Sequence, residues 1–383
     1  MKYSIENIIS GRLEDTPVGQ TFLVEQSYPT DIEHGLQKLD MTASLKGIAS
    51  CLNDPVIEDA SISELCFLDT ETSGLSGGTG TYPFLIGVGR FMGTQFQLSQ
   101  FFMRDPGEEA AQLLALESYL DTSKILVTFN GKAFDVPLLN ARYTLNSWKS
   151  PLINFTQIDL LHLARKLWRN HLSSRTLGNL EVEILGIQRS SDEVPGWMIP
   201  QLYFDYLRSG DARPLKNVFY HNAMDVLSMA TLLDRIAKLI LSPLDVDDIH
   251  KNELAAIGRI YEDLGDFEMA VRLYQQSLEN MDHDEIYWDT LQRLSFIYKR
   301  ASHHDQALEL WRKAAQQGYI YAHIELAKHY EHRISDYANA IQWTEKAIDL
   351  IKVPSSRVTE RITWLEELEH RLERLNRKQR YFN

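Results

Sequence analysis

Asp69-Thr70-Glu71 sets two carboxylates two residues apart, and because side chains alternate along a strand, both point to the same face. Two negative charges held that close repel unless a proton or a cation neutralises them, so the pair asks for a divalent metal. Two further acids lie downstream, Asp135 in Asn130-Gly131-Lys132-Ala133-Phe134-Asp135 and Asp225 in Tyr220-His221-Asn222-Ala223-Met224-Asp225. Taken alone, each has a plainer role: solvated acids at a strand end, an N-cap ahead of Val136-Pro137, a surface aspartate. Taken together, Asp69, Glu71, Asp135 and Asp225 can close into a cage for two magnesium or manganese ions. Two such ions suit phosphodiester hydrolysis, one activating a water and the other stabilising the leaving 3′ oxygen. His221 stands one helical turn before Asp225 and can share its face, where it would orient or deprotonate the attacking water.

The elements that must position these residues are legible from residue 65 onward. The apolar run Leu65-Cys66-Phe67-Leu68 predicts a buried strand ending at Asp69. Tyr82–Phe91 and Gln95–Met103, joined by Met92-Gly93-Thr94, complete an antiparallel meander. Asp105-Pro106 followed by Glu108 and Glu109 starts a helix. A strand over Lys124–Phe129, a helix over Phe134–Tyr143, and a strand ending at Gln157-Ile158 that runs into a further helix follow it. The order β-β-β-α-β-α-β-α predicts a mixed five-stranded sheet with flanking helices, its fourth strand parallel to the first and beside it. That is the ribonuclease H-like order, and it carries Asp135 towards Asp69. Residues 1–61 show no chemistry and read as an N-terminal extension packed on the domain of residues 62–243.

Residues 244–383 read as helices throughout, with an internal repeat. Asp266-Phe267-Glu268-Met269-Ala270, His304-Asp305-Gln306-Ala307 and Asp336-Tyr337-Ala338-Asn339-Ala340 place their alanines 37 and then 33 residues apart, close to the tetratricopeptide period. The third copy has one extra residue between Tyr330 and Ala340. Glu360–Arg380 reads as a charged helix capping the stack. Such a domain offers a protein partner a surface, or restrains the substrate.

Composition limits the rest. A net charge of −14 argues against coating duplex nucleic acid by bulk attraction. Residues 141–180 are the local exception, with Arg142, Lys149, Arg165, Lys166, Arg169 and Arg175 against Asp159 alone. They form either a solvated helix face or a phosphate track. The only cysteines, Cys51 and Cys66, lack the number for a disulfide framework and the spacing for zinc. No apolar run approaches the roughly 20 residues of a membrane span, and charges and glycine interrupt the first residues, so a cytoplasmic protein is expected.

Asp69-Thr70-Glu71-Thr72-Ser73-Gly74-Leu75, Phe129-Asn130-Gly131-Lys132-Ala133-Phe134-Asp135-Val136-Pro137 and His221-Asn222-Ala223-Met224-Asp225 resemble the three motifs of the DEDD, or DnaQ-like, 3′-to-5′ exonucleases of the ribonuclease H-like superfamily. With the repeats downstream, the chain is most similar to the YprB-like bacterial group. The resemblance implies a two-metal exonuclease acting on single-stranded DNA or RNA, with Asp69, Glu71, Asp135 and Asp225 as ligands and His221 serving the water. It also implies that Thr72 and Asn130 meet the terminal nucleotide, and it gives weight to Arg165, Lys166 and Arg169 as phosphate contacts. One departure stands out. The family's subclasses carry histidine five residues before the last aspartate or tyrosine four before it, whereas here Tyr220 is at five and His221 at four. On a helix the four-residue spacing lies about 40° from the aspartate's direction and the five-residue spacing about 140°, which favours His221 over Tyr220. The alternative reading is a weakened or inactive nuclease fold kept as a nucleic-acid-binding or protein-interaction scaffold.

If the basic stretch tracks phosphates, replacing Arg165, Lys166 and Arg169 together will flatten the salt dependence of single-strand binding. Each lost contact lowers the slope of log affinity against log salt by about 0.7. An unchanged slope in filter binding from low to moderate salt assigns the stretch to surface solvation.

Overall fold

The computed structural model describes residues 3–74, 80–190, 193–246, 249–279, 281–352 and 358–382. The chain divides into two compact units, Met1–Ile249 and His250–Asn383. Among the described residues no helix is long and apolar enough to cross a membrane.

The first unit is built on a seven-stranded mixed sheet. Its strands are β1 (Arg12–Thr16), β2 (Gly19–Pro29), β5 (Leu65–Thr72), β6 (Pro83–Met92), β7 (Gln95–Phe102), β8 (Ile125–Thr128) and β9 (Thr156–Asp159), while β3 (Glu33–His34) and β4 (Gln37–Lys38) form a separate small hairpin. The spatial order is β1-β2-β7-β6-β5-β8-β9. β5, β6 and β7 form the expected antiparallel meander, turning at Gly93 with φ +62°. β8 lies parallel to β5 and beside it, with Cys66 opposite Leu126, and β9 continues parallel beyond β8. The five expected strands are therefore present in the expected order. The sheet is wider than expected because the N-terminal segment adds two strands at the meander's free edge, where β2 pairs antiparallel with β7 from Phe22 opposite Phe102 to Pro29 opposite Gln95. A long edge strand such as β7 leaves a row of backbone groups unpaired, and β2 satisfies them.

Both faces of the sheet are covered. On one, the helix Asp135–Leu145 buries Val136, Leu139 and Tyr143 against Cys66, Leu68, Ile86, Val88 and Leu126. On the other lies the helix Leu215–Leu241, with Val218, Phe219, Val226 and Met229 buried. Two glycines on β6 let it come close. A Cβ on Gly87 would stand 2.2 Å from Asn222 Oδ1, and one on Gly89 would stand 2.5 Å from Val226 Cγ1.

The second unit is three helix pairs, Lys251–Asp263 with Phe267–Leu278, Glu285–Arg300 with His304–Gln316, and Ile320–His329 with Tyr337–Lys352, followed by Val358–Phe382. The repeat alanines Ala270, Ala307 and Ala340 are each fully buried, and a Cβ on Gly258 would press within 2.7 Å of the Tyr274 ring. The extra residue of the third copy is taken up in a π-helical turn, Tyr330–Ile334, closed by Ser335 with φ +59°.

Gly87→Ala drives a methyl group into the Asn222 amide, which must shift out of its packed position between the long helix and β6. Overpacking of this kind costs about 1–3 kcal/mol, so thermal melting of the full chain is expected to drop by roughly 3–10 °C for a unit this large. An unchanged melting temperature shows that the groove tolerates a methyl group and does not seat the helix.

Candidate active site

The carboxyl ends of the parallel strands β5, β8 and β9 gather the sequence motifs, as open α/β sheets usually arrange their sites. Asp69 and Glu71 share the face of β5 that meets the long helix. The Asn222 amide donates to Asp69 Oδ2 at 2.8 Å, and Asn222 Oδ1 accepts from Gln100 Nε2 at 2.9 Å. Asn222 and Gln100 are fully buried, so this relay fixes the Asp69 carboxylate from the sheet interior. Asn222 falls between Val218 and Val226 on an otherwise apolar helix stripe, a polar interruption that could have marked it in the sequence.

Asp135 arrives from the opposite face. It is the first residue of its helix and not the N-cap of the plainer sequence reading, a position that Phe134 takes. Its Oδ1 accepts from the Thr70 hydroxyl at 2.5 Å. Thr70 points the other way from its neighbours Asp69 and Glu71, and so carries Asp135 to the strand end. The loop that delivers Asp135 is held by Asp159, which is fully buried and accepts from the backbone N–H groups of Asn130 (2.8 Å), Lys132 (3.2 Å) and Leu161 (3.1 Å). Asn130 itself is left-handed at φ +66°. Gly131 has no room for a side chain, because a Cβ would lie 2.5 Å from Thr128 Cβ.

His221 and Asp225 stand one turn apart on the long helix and face the strand-end acids. His221 Nε2 lies 3.6 Å from Asp225 Oδ2 and 3.9 Å from Glu71 Oε1. Its Nδ1 meets Glu193 Oε1 at 2.5 Å. The Tyr220 hydroxyl is used elsewhere, accepting from the Ser190 N–H at 3.1 Å. Arg189 completes the group. Its Nε and Nη2 each donate to Glu181 at 2.6 Å, its Nη1 donates to Glu193 at 2.9 Å, and Nη2 also donates to Asp225. Arg189, Glu181 and Glu193 carry no sequence motif and went unread, since they come from the irregular stretch between the recognisable elements.

Other expected residues stand apart from this cluster. Thr72 turns its hydroxyl onto Gly74 O at 2.7 Å. Arg165, Lys166 and Arg169 are exposed at the far end of the helix Leu160–Trp168, where Lys166 reaches Cys51 O at 3.4 Å. At about 1.5 Å per residue, that end is roughly 9–15 Å from the strand edge. The glycine loop after Glu71 falls largely on residues 75–79, outside the described residues.

A profile described as RNase_H superfamily matches residues 66–237, and one described as Tetratricopeptide repeat matches residues 253–285. Along 366 residues, 92% of this chain and 85% of the relative, the sequence is 33% identical to uncharacterized protein YprB of Bacillus subtilis (strain 168). The chain belongs to the YprB family. The family B DNA polymerase of Pyrobaculum calidifontis gives a TM-score of 0.36 at 15% identity, over 52% of this chain and 29% of the polymerase. The chain thus spans under a third of that polymerase, and so slight a likeness carries no argument.

In this YprB-family site the carboxylates are crowded out of water. Burial pushes Asp69 and Glu71 well above the usual carboxylate range, and the neighbouring charges push further: Asp225 and Asp135 on Asp69, and Asp69, Asp225 and Asp135 on Glu71. Burial also raises Asp135 to about 6, although the Thr70 hydroxyl opposes it. Glu71 is 9% exposed, and its Oε1 is buried without a hydrogen-bond partner. Hard carboxylate oxygens, one of them unsatisfied, suit magnesium or manganese chemically. Among the described residues, no group of three or more histidines, cysteines, aspartates or glutamates is close enough to hold a metal. The side-chain partners account for this, because Asp69 is turned onto Asn222, Asp135 onto Thr70 and Asp225 onto Arg189.

Raised carboxyl pKa values make the folded state hold protons that the unfolded state has released. Without metal, stability therefore falls as pH rises from about 4 to about 6 through Asp135, and falls further as Asp69 and Glu71 ionise. Asp69→Asn keeps an acceptor oxygen for Asn222 and removes a charge, so it is expected to raise the urea midpoint in EDTA at pH 8 and flatten the profile. A parental midpoint independent of pH over that window would contradict the buried-carboxyl account.

Proposed function

We propose that this chain is a metal-dependent nuclease that removes nucleotides from the 3′ end of single-stranded DNA or RNA. The observation that carries the reading is the meeting, at one strand end, of Asp69, Glu71, Asp135 and Asp225 with His221, whose Nε2 faces the acids. Glu193 Oε1 pairs with Nδ1 of His221 and orients the ring with Nε2 towards the acids, where the neutral ring would accept a proton from an attacking water. Tyr220 is held at the Ser190 backbone, so His221 is the better candidate for this duty.

Two divalent ions held by Asp69, Glu71, Asp135 and Asp225 would polarise the scissile phosphate and neutralise charge on the leaving 3′ oxygen. Asp159 holds the Asn130 backbone at the same edge, where the Asn130 side chain would meet the terminal sugar or base. Thr72 follows Glu71 on the same strand end and would flank that nucleotide. Arg165, Lys166 and Arg169 lie too far along their helix for the scissile phosphate and would meet phosphates further along the strand. The helical repeats would recruit a protein partner.

A second reading, a nuclease fold kept as a binding scaffold, draws on the pairing of Asp225 with Arg189 and of Asp135 with Thr70. One assay separates the two. With manganese, short DNA and RNA strands labelled at the 3′ end are expected to lose nucleotides stepwise, and Asp225→Asn is expected to reduce the rate at least about a hundredfold, as losses of transition-state charge stabilisation do. Near-normal turnover in Asp225→Asn, or no cleavage of either polymer by the parent, removes the nuclease reading.

A further inference from the structure

Arg189 is the side chain that the nuclease reading leaves unexplained. It is nearly buried, with 12% of its side chain exposed, and is the one arginine or lysine paired with Asp225 among the described residues. Its bonds are unequal in kind. Nε and Nη2 grip both oxygens of Glu181, whose side chain is 2% exposed, and Nη1 reaches Glu193. Asp225 shares only Nη2, which is already engaged by Glu181. Asp225 can thus leave with the two-pronged Arg189–Glu181 pair intact, whereas loss of Glu181 would break that pair at both Nε and Nη2.

The anchor is built into the backbone. Glu181 begins a π-helical turn, Glu181–Leu185, that ends at Gly186 with φ +65°. Beyond that turn the chain comes back along it, as the Ile187 N–H donates to Glu181 O at 2.8 Å. Arg189 is therefore returned to the residue that opens the turn. The Glu181 side chain is enclosed whether or not Asp225 is present, which makes the Arg189–Glu181 fork the permanent half of the contact.

We infer that Arg189 is a positioning residue that serves as an internal counter-ion for Asp225, and that a divalent ion binds the acid cluster by taking Asp225 from it. The inference rests on the metal-dependent reading above. Arg189 then has two effects. It relieves the repulsion of Asp225 with Asp69 and Glu71 when no ion is bound, and it weakens ion binding by competing for Asp225. Through Glu193 it also keeps the partner of His221 in place, so the histidine stays oriented after Asp225 is released.

The test is calorimetric titration of manganese into the EDTA-treated and desalted full chain. Arg189→Met combined with Glu181→Gln removes the buried pair together, so neither charge is left uncompensated. This variant is expected to bind manganese about tenfold tighter or more, since the guanidinium that competes for Asp225 has been removed while the net charge beside the ion is unchanged. A purely structural Arg189 would leave the affinity equal or lower it. Equal or weaker binding beside a parent that binds overturns the inference and leaves the metal reading standing. Silence in both proteins overturns the metal reading and this inference with it. Should the double variant fail to fold, the parent alone decides. With 15N-labelled arginine, and the Arg189 guanidinium signals assigned through Arg189→Lys, magnesium is expected to shift the Nη2–H signal with the half-saturation measured by calorimetry. A signal that stays fixed while the ion binds overturns the exchange of partners.

Discussion

Carboxylates drawn out of water at the end of β5 repel one another, and burial and that repulsion together push Asp69 and Glu71 upward in pKa. This unfavourable arrangement must be compensated from outside the cluster, and much of the first unit is organised to do so. The Asn222 amide donates to Asp69, the Thr70 hydroxyl donates to Asp135, and the Arg189 guanidinium takes Asp225. Of Asp69, Glu71, Asp135 and Asp225, it is Glu71 that keeps a buried oxygen with no partner. Charge is thus stored at one spot, and a bound cation would release the stored repulsion.

The scaffold around it works through close approach and buried polar relays. Gly87 and Gly89 let the long helix settle on β6, and without that contact Asn222 could not reach Asp69. Gln100 and Asp159 are buried polar residues whose bonds are spent on positioning, the first on Asn222 and the second on the Asn130 loop. A buried polar group left without its partner costs roughly 1–3 kcal/mol, so these relays hold the site to one geometry.

The second unit handles a buried carboxylate by the opposite route. Glu331 has a fully buried side chain, and it accepts from Arg371 at 2.7 Å, Arg374 at 2.9 Å and Lys378 at 2.9 Å, all on the last helix. Burial works against its charge, and the bonds from Lys378 and Arg374 outweigh it, so Glu331 lies below the usual carboxylate range. Where the first unit gathers like charges, the second surrounds a single acid with cations, which locks the capping helix to the third pair. Glu331 is placed for this by the π turn that absorbs the extra residue of that repeat.

Local pattern alone determined the meander, the order of strands and helices after residue 65, the repeats and the four acids with His221, because strand alternation, helix caps and the one-turn spacing of His221 and Asp225 are properties of neighbours in sequence. The extra residue before Ala340 was visible too, though not that a π turn would hold it. What only the tertiary structure decided is which distant groups meet. β1 and β2 join the sheet because β7 offers an open edge 66 to 80 residues away, a fact that no window around Thr21–Val24 contains. Asp135 looked like an N-cap because its own helix offers N–H groups, yet the Thr70 hydroxyl across the sheet end takes its carboxylate. Arg189, Glu181 and Glu193 lie in a stretch without periodicity, and they acquire a role only when that stretch folds back over the long helix. Sequence spacing reports which charges share an element, whereas their neutralisation is settled by whatever else the fold brings within hydrogen-bonding distance.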